Sequence, residues 1–188
     1  MERKFVNLWK KKMAVRKAVD EYSGSGSRVM RTLMGNYPGT VSNYPWGPKG
    51  QRKTETRSQL ATLIKWLRSK TVNTPKLYKG LSSKNANQFR KTGKFNTRTP
   101  TSTSKNRFQA EMFTNRNKNK VILVIPSGKR HAMILGQHGI TARQPREQEV
   151  ILSPGTFRKI GRNKKTGNYI VNYQETGRSI PRRRNFII

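Results

Sequence analysis

The sequence contains no cysteine among its 188 residues. Disulfide bridges, thiolate metal sites and a cysteine nucleophile are therefore excluded. Acidic residues are almost as scarce, because Asp and Glu together number 8 and Asp20 is the only aspartate. Long apolar runs are also missing. The longest, Val121–Ile125, is far too short to cross a bilayer, so we predict no transmembrane segment.

Positive charge is abundant instead. Lys and Arg number 41, which gives a formal net charge of +33 at pH 7. These residues are spread from Arg3 to Arg184 rather than collected in one tail. A chain with this charge repels itself unless an anionic partner neutralises it. We therefore predict a polyanionic partner, nucleic acid first, with an anionic membrane or an acidic protein surface as alternatives.

The first part of the chain reads as helical. Residues Met1–Tyr22 are predicted as a basic amphipathic helix with one apolar face. That face consists of Phe5, Leu8, Trp9 and Met13. Gly35–Gly50 holds three prolines and is predicted as a loop. A second helix is predicted over Thr54–Ser69. Its apolar positions, at the i, i+3, i+4 and i+7 spacing of a helix face, are Leu60, Leu63, Ile64 and Leu67.

After Pro75 the pattern changes to short runs rich in β-branched and aromatic residues, separated by turn residues. The predicted strands are Leu77–Lys79, Val121–Ile125, Ala132–Leu135, Glu149–Leu152, Phe157–Ile160 and Tyr169–Tyr173. Lys105–Lys120 is predicted as a short helix and a loop. Helices followed by strands indicate an α+β domain. We divide the chain into an N-terminal helix at 1–21, a domain at 22–175 and a basic tail at 176–188.

Two carboxylates stand out at Glu147 and Glu149, where a loop enters a strand. Side chains two apart on a strand lie on one face, so both carboxylates are expected to point the same way. Two surface glutamates that neutralise nearby lysines are the alternative, and the scarcity of acidic residues makes it weaker. Thr101–Ser104 follows Pro100 as an extended stretch whose hydroxyls can orient a carboxylate. Leu77–Ser82 is a strand entering a turn, with Lys79 near its end.

In this order the three elements resemble the Arg–Ser–Glu class of mono-ADP-ribosyltransferases, in particular the bacterial exoenzyme and bacteriophage branch. The matches are Tyr78–Gly80 for the aromatic-Arg-Gly strand, Ser102–Ser104 for the Ser-Thr-Ser strand, and Glu147–Glu149 for Glu-x-Glu before the turn at Pro154–Thr156. The resemblance covers roughly Tyr22 to Tyr173. It implies an ADP-ribosyltransferase-like fold, with N-terminal helices followed by a split, mixed or antiparallel β core.

The resemblance also implies residue roles, with NAD as substrate and protein arginine as acceptor. Glu149 binds the ribose and stabilises the cation that forms when the nicotinamide bond breaks, Ser102 holds Glu149 in place, and Glu147 deprotonates the acceptor. The other residues implied to contact NAD are Lys79, Ser102, Thr103, Ser104, Phe113 and Arg116. Lys79 stands where the family has arginine, and Met30 and Met34 stand where it often has Asn and Arg.

Two functions therefore follow from the sequence. One is an active transferase that its charge brings to nucleic-acid-associated proteins. The other is a catalytically degenerate transferase fold that serves as a basic nucleic-acid-binding protein or minor structural protein of a virus particle. A ribosomal type of RNA-binding protein explains the charge but not the ordered motifs.

No metal site is predicted, because His131 and His138 have no cysteine or carboxylate pair in support. No signal peptide is predicted, since lysines stand where a secretory signal would need apolar residues. The sequence leaves the location of the protein open, with a virus particle and a host-cell interior as the candidates.

Overall fold

The computed structural model describes residues 13–20, 22, 49–97, 99–114, 120–135 and 148–176, with 49–57 described by their backbone. The chain divides into two compact units. One comprises Met1–Trp66 with Arg178–Ile188, and the other comprises Leu67–Gly177. The three-part division of the sequence at residues 21/22 and 175/176 stays a prediction.

Residues 13–20 form the first described helix, α1. The buried side chains in and beside it follow the i, i+3, i+4, i+7 spacing of one helix face and are Val15, Ala18, Val19 and Tyr22. Met13, which we placed on the apolar face, is 45% exposed. It lies two residues before Val15, which is roughly 200° around the helix and therefore on the opposite side. The rest of the predicted face, Phe5, Leu8 and Trp9, lies outside the described residues.

Helix α2 extends over Lys49–Arg68. It begins before the predicted start at Thr54, and the end of the predicted Gly35–Gly50 loop is helical. The predicted apolar stripe is confirmed, because Leu60, Leu63, Ile64 and Leu67 are all buried. The earlier start could not be predicted from hydrophobic spacing, because the first turns of α2 contain no apolar residue.

The second unit is built on a β-sheet. The described strands are β1 Thr71–Thr74, β2 Leu77–Leu81, β3 Lys94–Asn96, β4 Thr101–Ser104, β5 Val121–Ile125, β6 Gly128–Ile134, β7 Glu149–Leu152, β8 Gly155–Arg162 and β9 Tyr169–Glu175. Their order across the sheet is β1-β6-β7-β4-β2-β5-β9-β8-β3. Neighbouring strands are antiparallel except β5 and β9, which are parallel. The predicted α+β class is therefore confirmed, and each of the six predicted strands falls on an observed one.

Two short helices accompany the sheet: α3 over Ser83–Thr92 and α4 over Arg107–Met112. Helix α4 confirms the short helix predicted within Lys105–Lys120. Helix α3 was not predicted, because only Ala86 and Phe89 of its ten residues are buried and so its apolar periodicity is weak. Phe89 joins the core of the sheet, which is formed mainly by Leu, Ile, Val and Phe side chains from β2, β5, β7, β8 and β9.

The sheet curves enough for β6 and β9, which are not neighbours in the sheet, to contact each other. The carboxylate of Glu175 on β9 accepts a hydrogen bond from the backbone N–H of His131 on β6 at 2.8 Å. The same carboxylate lies 2.6 Å from Nδ1 of His131. Close by, the hydroxyl of Tyr173 donates to the backbone carbonyl of Ser153. These contacts bring β6 and the end of β7 against β9, although four strands lie between β6 and β9 in the sheet.

Candidate functional site

The central strand β7 places Glu149 at its first position. Strand β7 lies between β4 and β6, so hydrogen bonds hold its backbone from both sides. The carbonyl of Glu149 accepts a further hydrogen bond from the backbone N–H of Leu135 at 3.1 Å. Glu149 is only 8% exposed. Because burial of a carboxylate is costly unless partners compensate it, the side chain is held in one place by its surroundings.

The hydroxyls of Ser102 and Ser104 lie on the same face of the sheet as Glu149. In the antiparallel register, Ser104 is paired with Glu149 and Ser102 with Ile151. Side chains paired across a ladder share a face, and residues two apart on a strand do as well. Ser104 is therefore the direct cross-strand neighbour of Glu149, and Ser102 is its diagonal neighbour. The hydroxyl oxygen of Ser104 accepts a hydrogen bond from the backbone N–H of Asn106 at 2.9 Å.

Thr103 lies on the opposite face from this pair. Its side chain is 4% exposed, and its hydroxyl donates to the backbone carbonyl of Val150 at 2.6 Å. The hydroxyl therefore ties β4 to β7 from the core side. The alternation of a strand thus separates the three Ser-Thr-Ser hydroxyls, with two beside Glu149 and one in the core.

Lys79 lies where β2 and β4 separate. These two strands share the registered pair Tyr78 with Ser104, whereas β2 follows β5 along its whole length. The ammonium of Lys79 donates to the backbone carbonyl of Ser102 at 3.2 Å and lies 5.9 Å from the ring centroid of Phe95. Lys79 therefore connects the two strands at the split, and its charge lies within reach of the strand that carries the serines.

The residue before Glu149 has an uncommon backbone conformation. Gln148 has φ of 45°, in the left-handed region that non-glycine residues seldom occupy. Its carbonyl accepts a hydrogen bond from the backbone N–H of Lys105 at 3.2 Å. The chain thus turns sharply at Gln148 and enters β7 with Glu149 facing the serines. Hydrophobic patterning contains no signal for this turn.

Helix α4 covers β2 next to the serines and carries Phe113 at its C-cap. Its N-cap is Asn106, whose side chain accepts from the backbone N–H of Phe108 at 2.9 Å. Phe108, Met112 and Phe113 are exposed, with 51% of Phe113 open to solvent. Phe113 therefore has an accessible ring at the start of the segment in which the resemblance places contacts to NAD.

Four further positions from the sequence analysis cannot be placed on this geometry. Glu147 and Arg116 lie outside the described residues, as do Met30 and Met34. The described part of the site therefore has Ser102, Ser104 and Glu149 on one face of the sheet and Phe113 at the end of α4. Thr103 lies on the opposite face, and the ammonium of Lys79 contacts the backbone of Ser102 from the side of the core residue Phe95.

Away from these residues, the contacts between β6 and β9 contain polar groups that the sequence did not indicate. Burial raises the pKa of the Tyr173 hydroxyl well above its usual range, and the Glu175 carboxylate raises it further, whereas Arg130 and Arg68 act in the opposite direction. Burial also lowers the pKa of the Arg130 guanidinium.

Within the described residues, no group of His, Asp and Glu side chains is placed to bind a metal ion. None of the helices there is long and apolar enough to span a membrane.

Comparison of the sequence with protein-family models and with curated proteins gives no match. The structure, in contrast, is similar to solved mono-ADP-ribosyltransferases. Vis, from Vibrio splendidus, in complex with agmatine matches with a TM-score of 0.54 and 17% identity, over 85% of this chain and 72% of that chain. Exoenzyme S from Pseudomonas aeruginosa, in complex with human 14-3-3 protein beta and bound to carba-NAD, matches with a TM-score of 0.55 and 14% identity, over 84% and 72%.

The catalytic domain of VsdC from Aeromonas hydrophila is matched over its whole length. Its TM-score is 0.52 and its identity 14%, and the match covers 86% of this chain. The chain thus has an ADP-ribosyltransferase-like fold, which confirms the predicted fold class. At these identities the similarity concerns the fold.

Proposed function

We propose that the chain is an NAD-dependent mono-ADP-ribosyltransferase whose acceptor is the guanidinium group of arginine. The observation that carries this proposal is the placement of Glu149: buried, at the first position of a central strand, opposite Ser104 and on the same face as Ser102. It supports the proposal because β7 belongs to an ADP-ribosyltransferase-like fold. In such a fold a carboxylate fixed at this position, here that of Glu149, can stabilise the reacting ribose of NAD.

The reaction breaks the bond between the ribose and the nicotinamide of NAD. Nicotinamide leaves with the bonding electron pair, and the ribose becomes an oxocarbenium-like cation, as in glycoside hydrolysis. The carboxylate of Glu149 stabilises that cation by its charge and by a hydrogen bond to the ribose. A guanidino nitrogen of the acceptor then forms the new bond to the ribose carbon. It loses a proton, which Glu147 accepts in this proposal.

Lys79 is proposed to contribute a positive charge where the family has arginine. A lysine ammonium is a point charge, whereas an arginine guanidinium binds phosphate in a planar, bidentate way. The contact between Lys79 and the carbonyl of Ser102 supports a role in holding β4 beside β2. We therefore propose that Lys79 holds β4 beside β2 and binds NAD less tightly than an arginine at this position would.

Transfer of label from labelled NAD to agmatine tests the proposal, because agmatine offers a guanidinium without a protein surface. We expect Glu149→Gln to lower the rate at least about 100-fold, since it removes the charge that stabilises the cation but keeps the size of the side chain. We expect Lys79→Arg to lower the KM for NAD. Glu175→Gln, at the β6–β9 contact, is the matched control and should retain transfer.

Each outcome has a separate meaning, provided that circular dichroism shows every variant to be folded. Equal rates for the parent and Glu149→Gln would contradict the assignment. Label in Lys79→Arg but none in the parent would indicate that the parent lacks transfer because it has lysine, and not arginine, at position 79. No label in any variant would favour the second candidate function.

That second candidate is a catalytically degenerate transferase fold that binds nucleic acid or forms a minor part of a virus particle. The net charge of +33 favours it. Binding of this kind depends on counterion release, so about 6–10 phosphate contacts lose on the order of 10³–10⁵ in affinity between roughly 50 and 200 mM salt. The two functions are compatible, since a transferase held on nucleic acid satisfies both.

A further inference from the structure

Six exposed cations of the second unit lie on one hairpin and the strand beside it, at the edge of the sheet. Strands β8 and β9, their connecting turn and the edge strand β3 carry six exposed cations, which we call the basic hairpin: Lys94, Arg158, Lys159, Arg162, Lys164 and Lys165. The chain contains no Asp or Glu in residues 82–110 or 150–174, the two stretches from which this region is built. The basic hairpin therefore has no acidic residue of its own segments to neutralise it.

The register of the strands brings like charges together. Lys94 on β3 is paired with Arg158 on β8, and Arg158 is in turn paired with Asn172 on β9. Like charges directly opposite each other destabilise a sheet, whereas opposite charges there stabilise it. This arrangement costs free energy in the isolated protein and becomes favourable when an anion lies across both side chains.

Two more cations lie against one aromatic ring. The ammonium of Lys159 is 5.4 Å, and the guanidinium carbon of Arg162 5.2 Å, from the ring centroid of Tyr169. The ring attracts both cations and holds them at fixed positions, although the two repel each other. The Nε of Arg162 also donates to the carbonyl of Gly167 at 3.0 Å. Lys159 and Arg162 are paired with Val171 and Tyr169, whereas Arg158 is paired with Asn172, so these two cations lie on the face opposite Lys94 and Arg158.

The turn between β8 and β9 presents Lys164 and Lys165 on an ordered backbone. The N–H of Asn163 donates to the carbonyl of Asn168, and the N–H of Gly167 donates to the carbonyl of Asn163, each at 2.8 Å. Gly167 has φ of 69°, which a glycine adopts without strain. The two lysines therefore project from a fixed turn beside the cations of the strands.

We propose that the basic hairpin binds the phosphate backbone of a double-stranded nucleic acid. Lys94 and Arg158 share one face of neighbouring strands, and Lys164 and Lys165 extend from the adjoining turn, so four cations are available to the phosphates of a nucleic acid backbone. Binding of single strands uses aromatic side chains on which bases stack. The exposed large apolar residue of the hairpin is instead Ile160, and its tyrosines, Tyr169 and Tyr173, are part-buried. The inference rests on the second candidate function, gives it a surface, and is independent of transfer from NAD.

The test compares two variants of the full chain with equal net charge. The hairpin variant carries Lys94→Gln, Arg158→Gln, Lys164→Gln and Lys165→Gln. The control variant carries Lys65→Gln, Lys76→Gln, Lys120→Gln and Lys129→Gln, which replace exposed lysines elsewhere. Binding to a fluorescein-labelled DNA duplex is followed by anisotropy between about 50 and 200 mM salt. Double-stranded RNA, single-stranded DNA and vesicles containing phosphatidylserine are measured in parallel.

We expect the hairpin variant to lose more than tenfold in duplex affinity at about 100 mM salt, and its salt slope to fall by roughly 3.6, or about 0.9 for each lost phosphate contact. The control variant should keep nearly the parent slope. Equal losses in both variants would overturn the proposal, as would tighter binding to single strands, or binding to vesicles but not to duplexes.

Two further measurements keep the outcomes distinct. If the fourfold hairpin variant does not fold, Lys164→Gln with Lys165→Gln is compared with Lys120→Gln and Lys129→Gln, and a slope difference of roughly 1.8 is expected. Transfer from NAD to agmatine should be the same in the hairpin variant and the parent. Failure of transfer in Glu149→Gln and failure of duplex binding in the hairpin variant are therefore separate results.

Discussion

Gln148 shows at the scale of a single residue how this backbone orients its candidate catalytic group. Its φ of 45° turns the chain immediately before Glu149. A left-handed conformation costs a non-glycine residue roughly 1–2 kcal/mol. Such conformations persist where the surrounding structure enforces them, and they occur often at active sites. Here the enforcing contacts are the pairing of Glu149 with Ser104 and the hydrogen bond from Lys105 to the Gln148 carbonyl.

The effect of a substitution at Gln148 on the free energy of unfolding should therefore depend on the backbone conformation that the new residue prefers. Contacts of the side chain should matter little, because it is exposed. We expect Gln148→Gly to be neutral or to stabilise the fold by up to about 1 kcal/mol, because glycine adopts this φ without a steric penalty. We expect Gln148→Val to destabilise it by roughly 1–2 kcal/mol, because β-branched residues tolerate this conformation least. Urea unfolding measures both values.

Gln174 is the matched control, since it is an exposed glutamine in the regular strand β9. The order should reverse there, with valine tolerated and glycine destabilising by about 0.5–1 kcal/mol. The same order of stabilities at both positions would contradict the strain assigned to Gln148.

Part of the candidate site could be predicted from residue types and spacing, and part could not. Glu149 and the serines were predicted because scarce carboxylates and clustered hydroxyls stand out in the sequence. That Ser104, and not Ser102, is the direct neighbour of Glu149 depends on the register between β4 and β7. The register is set by contacts between segments that are distant in sequence, so it cannot be predicted from the sequence of one strand alone. The inward position of Thr103 follows from the same register.

Gly80 illustrates, at the scale of secondary-structure elements, why α4 can lie so close to β2. A Cβ added at Gly80 would lie 2.0 Å from the carbonyl oxygen of Ala110 and 3.0 Å from Cγ2 of Thr114. The first of these atoms is backbone and cannot move without moving α4. The glycine of the Tyr78–Gly80 motif is therefore required by the approach of a helix, which gives a physical reason for the resemblance at that position.

We expect Gly80→Ala to destabilise the fold by about 1–3 kcal/mol or more, the range of overpacking substitutions. Gly161→Ala is the matched control, because its Cβ would meet no atom closer than 3.8 Å, an ordinary contact distance. It should change the unfolding free energy by less than about 1 kcal/mol. Thermal and urea unfolding measure both variants. Equal stability of the two would contradict the close packing of α4 on β2.

The elements that were predicted have strong local patterns, and those that were missed do not. Val121–Ile125 is a continuous apolar run and was found as β5. Helix α3 buries only two side chains, although Ser82 before it and Gly93 at φ of 65° after it are typical helix ends. Strands β1 and β3 contain four and three residues, and each has a single apolar side chain. These strands form by pairing with β6 and β8, and that pairing cannot be predicted from their own short sequences.

At the scale of the whole second unit, the sheet is curved, so that strands far apart in its order come into contact. The polar contacts of His131 and Tyr173 with Glu175 and Ser153 join β6 and β7 to β9, although three strands separate β7 from β9 in the sheet. Strands β4 and β7 lie within the curved part of the sheet, and Glu149 on β7 is paired with Ser104 on β4. The sequence predicted the fold class through the order of its motifs. It did not predict this closure, whose residues are far apart in the chain.

The burial of Tyr173 between β9 and the end of β7 makes the free energy of unfolding depend on pH through its hydroxyl. Burial raises the pKa of its hydroxyl in the folded protein above the value of about 10 expected in the unfolded chain. The folded state therefore holds the proton more tightly. The stabilisation is complete below pH 10 and is lost as the pH rises above it, by up to about 1.4 kcal/mol per pH unit.

Replacement by phenylalanine keeps the ring and removes the titrating group. We expect Tyr173→Phe to be less stable than the parent by about 1–3 kcal/mol at pH 8, because the buried carbonyl of Ser153 loses its donor. From pH 9 to 11 this difference should shrink, since only the parent loses stability through this hydroxyl. Urea unfolding across that range measures it, with Tyr78→Phe on β2 as the comparison variant. A difference independent of pH would mean that the Tyr173 hydroxyl is not protected by the closed sheet. The contact between Tyr173 and Ser153 would then be looser than their hydrogen bond indicates.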